Sequence, residues 1–185
     1  MRRGLKITGL SLLLMVLLTG GYLSYIKATH NFHPITSGEA YRSAQLDRDE
    51  LAYYIKKYNI RSIVNLRGKN LNKPWYREEA QVSAEFNVAH YDIPLSASRE
   101  LDDEDIKKLT EIFKTAPRPV LIHCQAGADR SGLVAAMWKV VVDKEPKSEA
   151  NKQLSILYGH IPIGNTTAMD RCFEKWDPQT NTVIK

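Results

Sequence analysis

The sequence predicts an α/β domain built on a mostly parallel central sheet flanked by helices and preceded by one N-terminal transmembrane helix. Three observations predict it. Short apolar segments alternate with amphipathic ones along the body of the chain. One of them, RPVLIHC (residues 118–124), is a continuous apolar run of the kind found in strands buried on both faces. The chain also opens on an uncharged stretch, from Ile7 to Ile26, behind a basic start.

That opening carries Arg2, Arg3 and Lys6, and then no charge until Lys27. A run of this length matches the ~20 residues a helix needs to cross a bilayer. Residues 1–30 are therefore read as a membrane anchor, as a signal anchor or a signal peptide, with membrane contact through residues 7–26. Thr19 and Gly21 make only a weak cleavage site, without Ala-x-Ala spacing. The basic flank predicts a cytoplasmic N-terminus and a single-pass protein whose body lies outside the cytoplasm, on the periplasmic or extracytoplasmic side.

Residues 31–185 contain no repeat, low-complexity tract or linker and read as one domain. GEAYRSAQ (38–45) suits a short strand. LDRDELAYYIKKYN (46–59) is a helix whose Asp47 and Glu50 are spaced as a capping box, with Leu51, Tyr54, Ile55 and Tyr58 on one face. IRSIVNLRG (60–68) is a buried-type strand ended by Gly68. PWYREEAQVSAEFN (74–87) starts at a proline and suits a helix, with either Ala80, Ser83 and Phe86 or Tyr76, Ala80 and Val82 inward. VAHYDIPL (88–95) returns as a strand. LDDEDIKKLTEIFKTA (101–116) is a helix with Asp102 at its cap, acids in its first turn, and an apolar stripe of Leu101, Ile106, Leu109, Ile112 and Phe113. SGLVAAMWKVVVD, SEANKQLSILYG and TTAMDRCFEKW read as three closing helices. In such a sheet, ligands bind beyond the C-terminal ends of the strands, and His123 and Cys124 lie at one of them.

Four of the five net positive charges lie in the N-terminal 30 residues. With Arg2, Arg3, Lys6 and Lys27 set aside, 22 basic residues face 21 acidic ones, a balance that excludes nucleic acid as an expected partner. Two cysteines, Cys124 and Cys172, cannot form a disulfide framework.

The chemistry concentrates in HCQAGADRSG, residues 123–132. Between a strand and a helix, the residues after His123 can wrap so that successive backbone N–H groups point inward, while the following helix adds its positive end. Gly127 and Gly132 supply conformational freedom or close approach. Arg130 offers a planar fork matched to two phosphate oxygens. Gln125, Ala126, Gly127, Ala128, Asp129 and Arg130 thus form the expected substrate cradle. Cys124 lies at its foot, where an electropositive surround favours the nucleophilic thiolate. Ser131 is placed to donate to that thiolate when it departs, and His123 to fix the cysteine's backbone.

His-Cys, two residues, Gly, two residues, Arg-Ser-Gly resembles the signature of the cysteine-dependent protein tyrosine phosphatase superfamily, with most similarity to its small dual-specificity-like bacterial members. YRSAQL, IRSIVNLRG, DIPLS and RPVLIHC extend the resemblance over most of residues 38–176. It implies phosphomonoester hydrolysis through a phospho-cysteine intermediate, with Arg130 as phosphate clamp and neither metal nor organic cofactor. A rhodanese-type sulfurtransferase also carries a strand-end cysteine loop, but the spacing to Arg130 and the following Ser-Gly fit a phosphatase better.

The family also uses a general acid, usually an aspartate on a loop upstream of the cysteine. Here Ser98 or Arg99 aligns with that place, and the first acids after it are Glu100, Asp102 and Asp103, of which Asp102 and Asp103 equally suit a helix cap. Asp129 is the alternative: Cys-x-x-Gly-x-Asp-Arg resembles the loops of phosphoinositide-directed members, although the preceding basic residue of those loops is Ala128 here. Asp129 is taken as the candidate acid, with Asp102 as its rival. Arg67 could reach the rim or form a structural ion pair. Asp92, His160 and Cys172 read more readily as structural, while Trp75, Tyr76 and Trp176 suit core packing and a substrate platform equally. The expected substrate is a phosphorylated protein, or else a lipid or sugar phosphate; an inactive phosphate-binding adaptor is the reading from another class.

Overall fold

The structure is a computed structural model and describes residues 2–180, 182 and 183; the side chains of residues 2–11, Arg2, Arg3 and Lys6 among them, lie outside what is described. The elements follow the order α1 (Arg2–Ala28), β1 (His33–Thr36), β2 (Ala40–Ser43), α2 (Arg48–Tyr58), β3 (Ser62–Asn65), α3 (Pro74–Glu85), β4 (Ala89–Asp92), α4 (Asp103–Thr115), β5 (Val120–His123) and α5 (Asp129–Val141). The short α6 (Lys147–Ala150), then α7 (Thr167–Lys175) and the strand pair β6 (Trp176–Asp177) and β7 (Thr182–Val183) complete the chain. Five strands form one mixed sheet in the order β1-β2-β5-β3-β4. β2, β5, β3 and β4 run parallel, and β1 is an antiparallel edge that the sequence pattern did not reveal.

Alternation along the strands divides the core into two layers. Val120, Ile122 and Val64 face α4, α5 and α7, where they meet Ile106, Leu109, Phe113, Leu133, Trp138 and Phe173. Leu121, Ile63 and Tyr41 face α2 and α3, where they meet Leu51, Ile55 and Val82. With β5 at its centre, the sheet places the end of that strand, His123, in the middle of the molecule.

Local sequence explains the helix ends. The Asp47 carboxylate accepts from the Glu50 amide at 2.9 Å, and the Glu50 side chain accepts from the Asp47 amide at 2.9 Å, so the predicted capping box forms. Asn59 ends α2 in the left-handed region. The predicted helix over 148–159 is mostly lost: α6 stops at Ala150, and two single 3₁₀ turns follow. The break lies at Leu154 and Ser155, which leave helical dihedrals, and the Gln153 carbonyl is bound by Arg42 instead of a helical amide.

The N-terminal expectation is corrected. Among the described residues, no helix is long and apolar enough to cross a membrane. α1 forms, but its uninterrupted large apolar run is Leu12–Leu18, followed at once by Thr19, Gly20 and Gly21. Its last turns meet the rest of the chain: the Tyr22 hydroxyl donates to the Ile156 carbonyl at 2.6 Å, and the Ile26 side chain packs near Gly159. The expected transmembrane helix, the membrane contact through residues 7–26 and the single-pass extracytoplasmic placement therefore do not stand.

Candidate active site

Cys124 directly follows β5, and the chain from Cys124 to Ala128 wraps into the first turn of α5. Gly127 makes the wrap possible: its φ is +70°, and a Cβ there would lie 2.6 Å from the Ala44 amide nitrogen and 2.7 Å from the Ser43 carbonyl carbon. Loop and β2 thus touch backbone to backbone. The Cys124 amide donates to the Ser43 carbonyl at 3.4 Å, and the Gln45 amide donates to the Gln125 carbonyl at 3.3 Å. Cys124 is buried, with Sγ 3.5 Å from Ser131 Oγ. Arg130 Nη1 donates to the Leu66 and Leu95 carbonyls at 3.2 and 3.3 Å, so its guanidinium bridges the ends of β3 and the loop after β4.

Arg42 lies beneath the loop and was not singled out from the sequence. Strand alternation sends it to the α5 side of β2, where it is fully buried. It donates to the Gly127 and Ala128 carbonyls, both at 2.9 Å, and to the Gln153 carbonyl and Oε1 at 2.7 and 3.1 Å. Its guanidinium also covers the Tyr158 ring at 4.5 Å. Burial pushes its pKa down to about 10, against the upward pull of Cys124, Tyr158 and Asp129, so it stays charged at neutral pH. Tying the loop's carbonyls outward leaves its amides free to face inward. An arginine at an inward-facing position of a short strand was the available signal.

A second buried group stands behind His123. The Glu79 carboxylate of α3 is 3% exposed. It accepts from His90 Nε2 at 2.8 Å and Gln45 Nε2 at 2.6 Å, and lies 3.1 Å from His123 Nε2, at ion-pair distance without hydrogen-bond alignment. Burial alone would raise its pKa, but His123, His90 and Gln45 together hold it well below the usual carboxylate range. Neither helical register read from α3 placed Glu79 inward, and only the packing reveals it.

The rival acids are brought to different places. Asp102 accepts from the Asp105 amide at 2.9 Å and so caps α4. Glu100 pairs with Arg171 and Lys175 at 3.0 and 3.1 Å, and Asp92 accepts from Asn65 and Tyr76 at 2.8 and 2.6 Å. Asp129, the first residue of α5, has its Oδ1 2.7 Å from His160 Nδ1, and His160 Nε2 reaches Asp170 of α7 at 3.0 Å. Burial would lower the pKa of His160, but its bonds to the two aspartates outweigh this and raise it. Arg67 forms no ion pair among the described residues; it stacks on Trp75 and donates to Gln45 Oε1 at 2.9 Å. Cys124 and Cys172 are both free thiols, and Cys172 accepts from the Leu101 amide in the core, where burial raises its pKa. Among the described residues, no group of His, Cys, Asp and Glu could hold a metal ion.

The family model described as "DSP-PTPase phosphatase fused to NAD+ Kinase" matches residues 31–170, more than half of the chain. The chain belongs to this family. This agrees with the resemblance to the cysteine-dependent protein tyrosine phosphatase superfamily carried by the signature at Cys124–Arg130. Over 116 residues it is 28% identical to the dual specificity protein phosphatase TpbA of Pseudomonas aeruginosa (strain UCBPP-PA14), a match covering 62% of this chain and 49% of TpbA. The chain thus spans about half the length of the curated relatives it matches. The crystal structure of P. aeruginosa TpbA superposes with a TM-score of 0.66 at 22% identity, covering 83% of this chain and 89% of that one. A second TpbA structure, a variant in complex with pTyr, gives 0.66 at 21% identity over 83% and 88%. The catalytic core of the S. cerevisiae PP-IP phosphatase SIW14 gives 0.64 at 17% identity over 82% and 88%, which is a likeness of fold.

Proposed function

We propose that this chain hydrolyses phosphomonoesters of the phosphotyrosine and dual-specificity class, with Cys124 as nucleophile. The observation that carries the reading is the arrangement around Cys124: a buried thiol at the end of the central strand, Ser131 Oγ 3.5 Å away, and a loop whose carbonyls are pulled outward by Arg42. The amides of Gln125 to Arg130 and the Arg130 fork hold the phosphoryl oxygens. The Cys124 thiolate attacks phosphorus; the S–P bond forms as the P–O bond to the leaving group breaks, and the leaving oxygen takes a proton from Asp129. Water then attacks the phospho-cysteine and passes its proton to Asp129, and the thiolate departs toward the Ser131 hydroxyl. Asp129 is taken as the acid because it directly precedes Arg130 in the phosphate cradle, whereas Asp102 caps α4 and Glu100 pairs with Arg171 and Lys175. The pTyr complex of TpbA supports phosphotyrosine as the first substrate to test.

The experiment compares two phosphate esters whose leaving groups differ in basicity. Cys124→Ser abolishes turnover of both while still binding vanadate. Asp129→Asn slows the ester with the poor leaving group by about 100-fold or more, and the other much less, because only the poor leaving group needs its proton. Equal slowing of both, or selective slowing in Asp102→Asn, would move the acid elsewhere. Binding without turnover in the wild type would make the chain a phosphate-binding adaptor.

A further inference from the structure

Six arginines of this chain form two contrasting groups. Arg48, Arg118 and Arg171 are each paired with a glutamate: Glu85, Glu39 and Glu100. Arg42, Arg67 and Arg130 surround the phosphate loop, and none of them forms an ion pair with a carboxylate among the described residues. Arg42 is sealed beneath the loop and Arg130 serves the reacting phosphate, which leaves Arg67.

Arg67 is pre-organised. Its guanidinium carbon lies 3.6 Å from the centre of the Trp75 ring, its Nη1 donates to Gln45 Oε1 at 2.9 Å, and its backbone amide donates to Asn65 Oδ1 at 2.9 Å. Stacking uses the face of the guanidinium and leaves its edge; among the described residues, Nε and Nη2 have no acceptor. Two contacts tie it to the loop. Gln45, its acceptor, is bonded through its own amide to the Gln125 carbonyl, and Leu66, its chain neighbour, accepts from Arg130. Burial lowers the Arg67 pKa, and repulsion from Arg130 lowers it further against the pull of Glu79 and Cys124. A phosphate dianion in the cradle answers the charge of Arg130, while the edge of Arg67 is still available.

We propose that Arg67 forms a second anion subsite, which binds a further phosphoryl or carboxylate group carried by the same substrate beside the scissile phosphate. The inference deepens the phosphatase reading and rests on it. It names the substrate class as a phosphomonoester with a neighbouring negative group. Trp75 and Gln45 act as positioning residues, since they fix the plane and edge of the guanidinium.

The test uses matched pairs. One is a phosphotyrosine peptide with a glutamate or a glutamine next to the phosphotyrosine; the other is a small bisphosphate and its monophosphate analogue. The quantity read is the ratio of kcat/KM within each pair. The wild type favours the doubly anionic member by about tenfold, the worth of one charge-assisted contact. Arg67→Gln brings the ratio close to one, and Arg67→Lys restores part of it. A preference in only one pair identifies that source of the second anion; no preference in either, or a ratio unchanged in Arg67→Gln, overturns the proposal. Binding of pyrophosphate against phosphate by calorimetry needs no turnover and separates the two readings. An inert protein that still binds pyrophosphate about tenfold tighter, and loses this in Arg67→Gln, has the subsite without the activity. Equal affinities for the two anions in an active wild type refute the subsite and leave the phosphatase standing.

Discussion

Replacing Arg42 by methionine probes how the phosphate loop is held. The side chain is fully buried and makes four hydrogen bonds, two of them to the Gly127 and Ala128 carbonyls of the loop. Hydrogen bonds to a charged group contribute about 1.5–3 kcal/mol each, and a buried acceptor left unpaired costs about 1–3 kcal/mol. Part of that total is returned, because methionine removes a charge whose burial is itself unfavourable, as the pKa of about 10 records. A net loss of about 3 kcal/mol is expected, which leaves a protein of ordinary stability folded. For a chain of this size the melting temperature should fall by about 6–12 °C. Catalysis should suffer more than folding, because the freed carbonyls let the loop turn and the inward amides lose their aim. Phosphate affinity should fall by about tenfold or more, at roughly 1.4 kcal/mol per tenfold. Thermal denaturation and inhibition by inorganic phosphate measure the two effects separately. Arg42→Lys should recover part of the stability and little of the affinity, since an ammonium cannot span acceptors held by a planar fork. A variant with methionine that melts within about 1 °C of the wild type and keeps its phosphate inhibition would refute the outward tie.

Two further expectations follow from neighbouring contacts. His160 bridges Asp129 and Asp170, and its pKa is raised in the folded state. Its stabilising contribution is therefore complete below the ordinary histidine value of about 6.5 and is lost as pH rises through the raised value. Melting curves of the wild type should fall over that alkaline window relative to His160→Asn, and parallel pH profiles would contradict the bridge. Gly127→Ala places a Cβ against the backbone of Ser43 and Ala44 at a φ of +70°. The left-handed conformation alone costs about 1–2 kcal/mol, and the clash has no flexible side chain to yield, so the loop must leave β2 and kcat/KM should fall by about 100-fold or more at about 2–3 kcal/mol of lost transition-state binding. Kinetics close to wild type would show that the loop does not depend on this contact.

What could be read in the sequence was what short-range chemistry determines. Asp47 and Glu50 are three residues apart and cap the helix they announce; Asp102 caps α4; Cys124, Gly127 and Arg130 lie within one loop and the helical turn that follows it. What escaped was set by contacts distant along the chain. Arg42 meets residues 85 to 111 positions away, and Glu79 joins His123 of β5 to His90 of β4. The lost helix after Ala150 has the same origin, since Gln153 gives its carbonyl to Arg42. The apolar N-terminus was misread as a membrane-crossing helix because hydropathy alone does not register that Tyr22 and Ile26 pack on the turns around Ile156 and Gly159.

The central claim is that Cys124 becomes phosphorylated during turnover. The most direct measurement mixes enzyme with an activated aryl phosphate, quenches in acid within the first turnover, and determines the mass of the peptide containing Cys124. The account predicts the gain of one phosphoryl group on that peptide in the wild type, increased when intermediate hydrolysis is slowed in Ser131→Ala, and absent in Cys124→Ser. Steady phosphate release with no adduct, or with Cys124→Ser as active as the wild type, would contradict it.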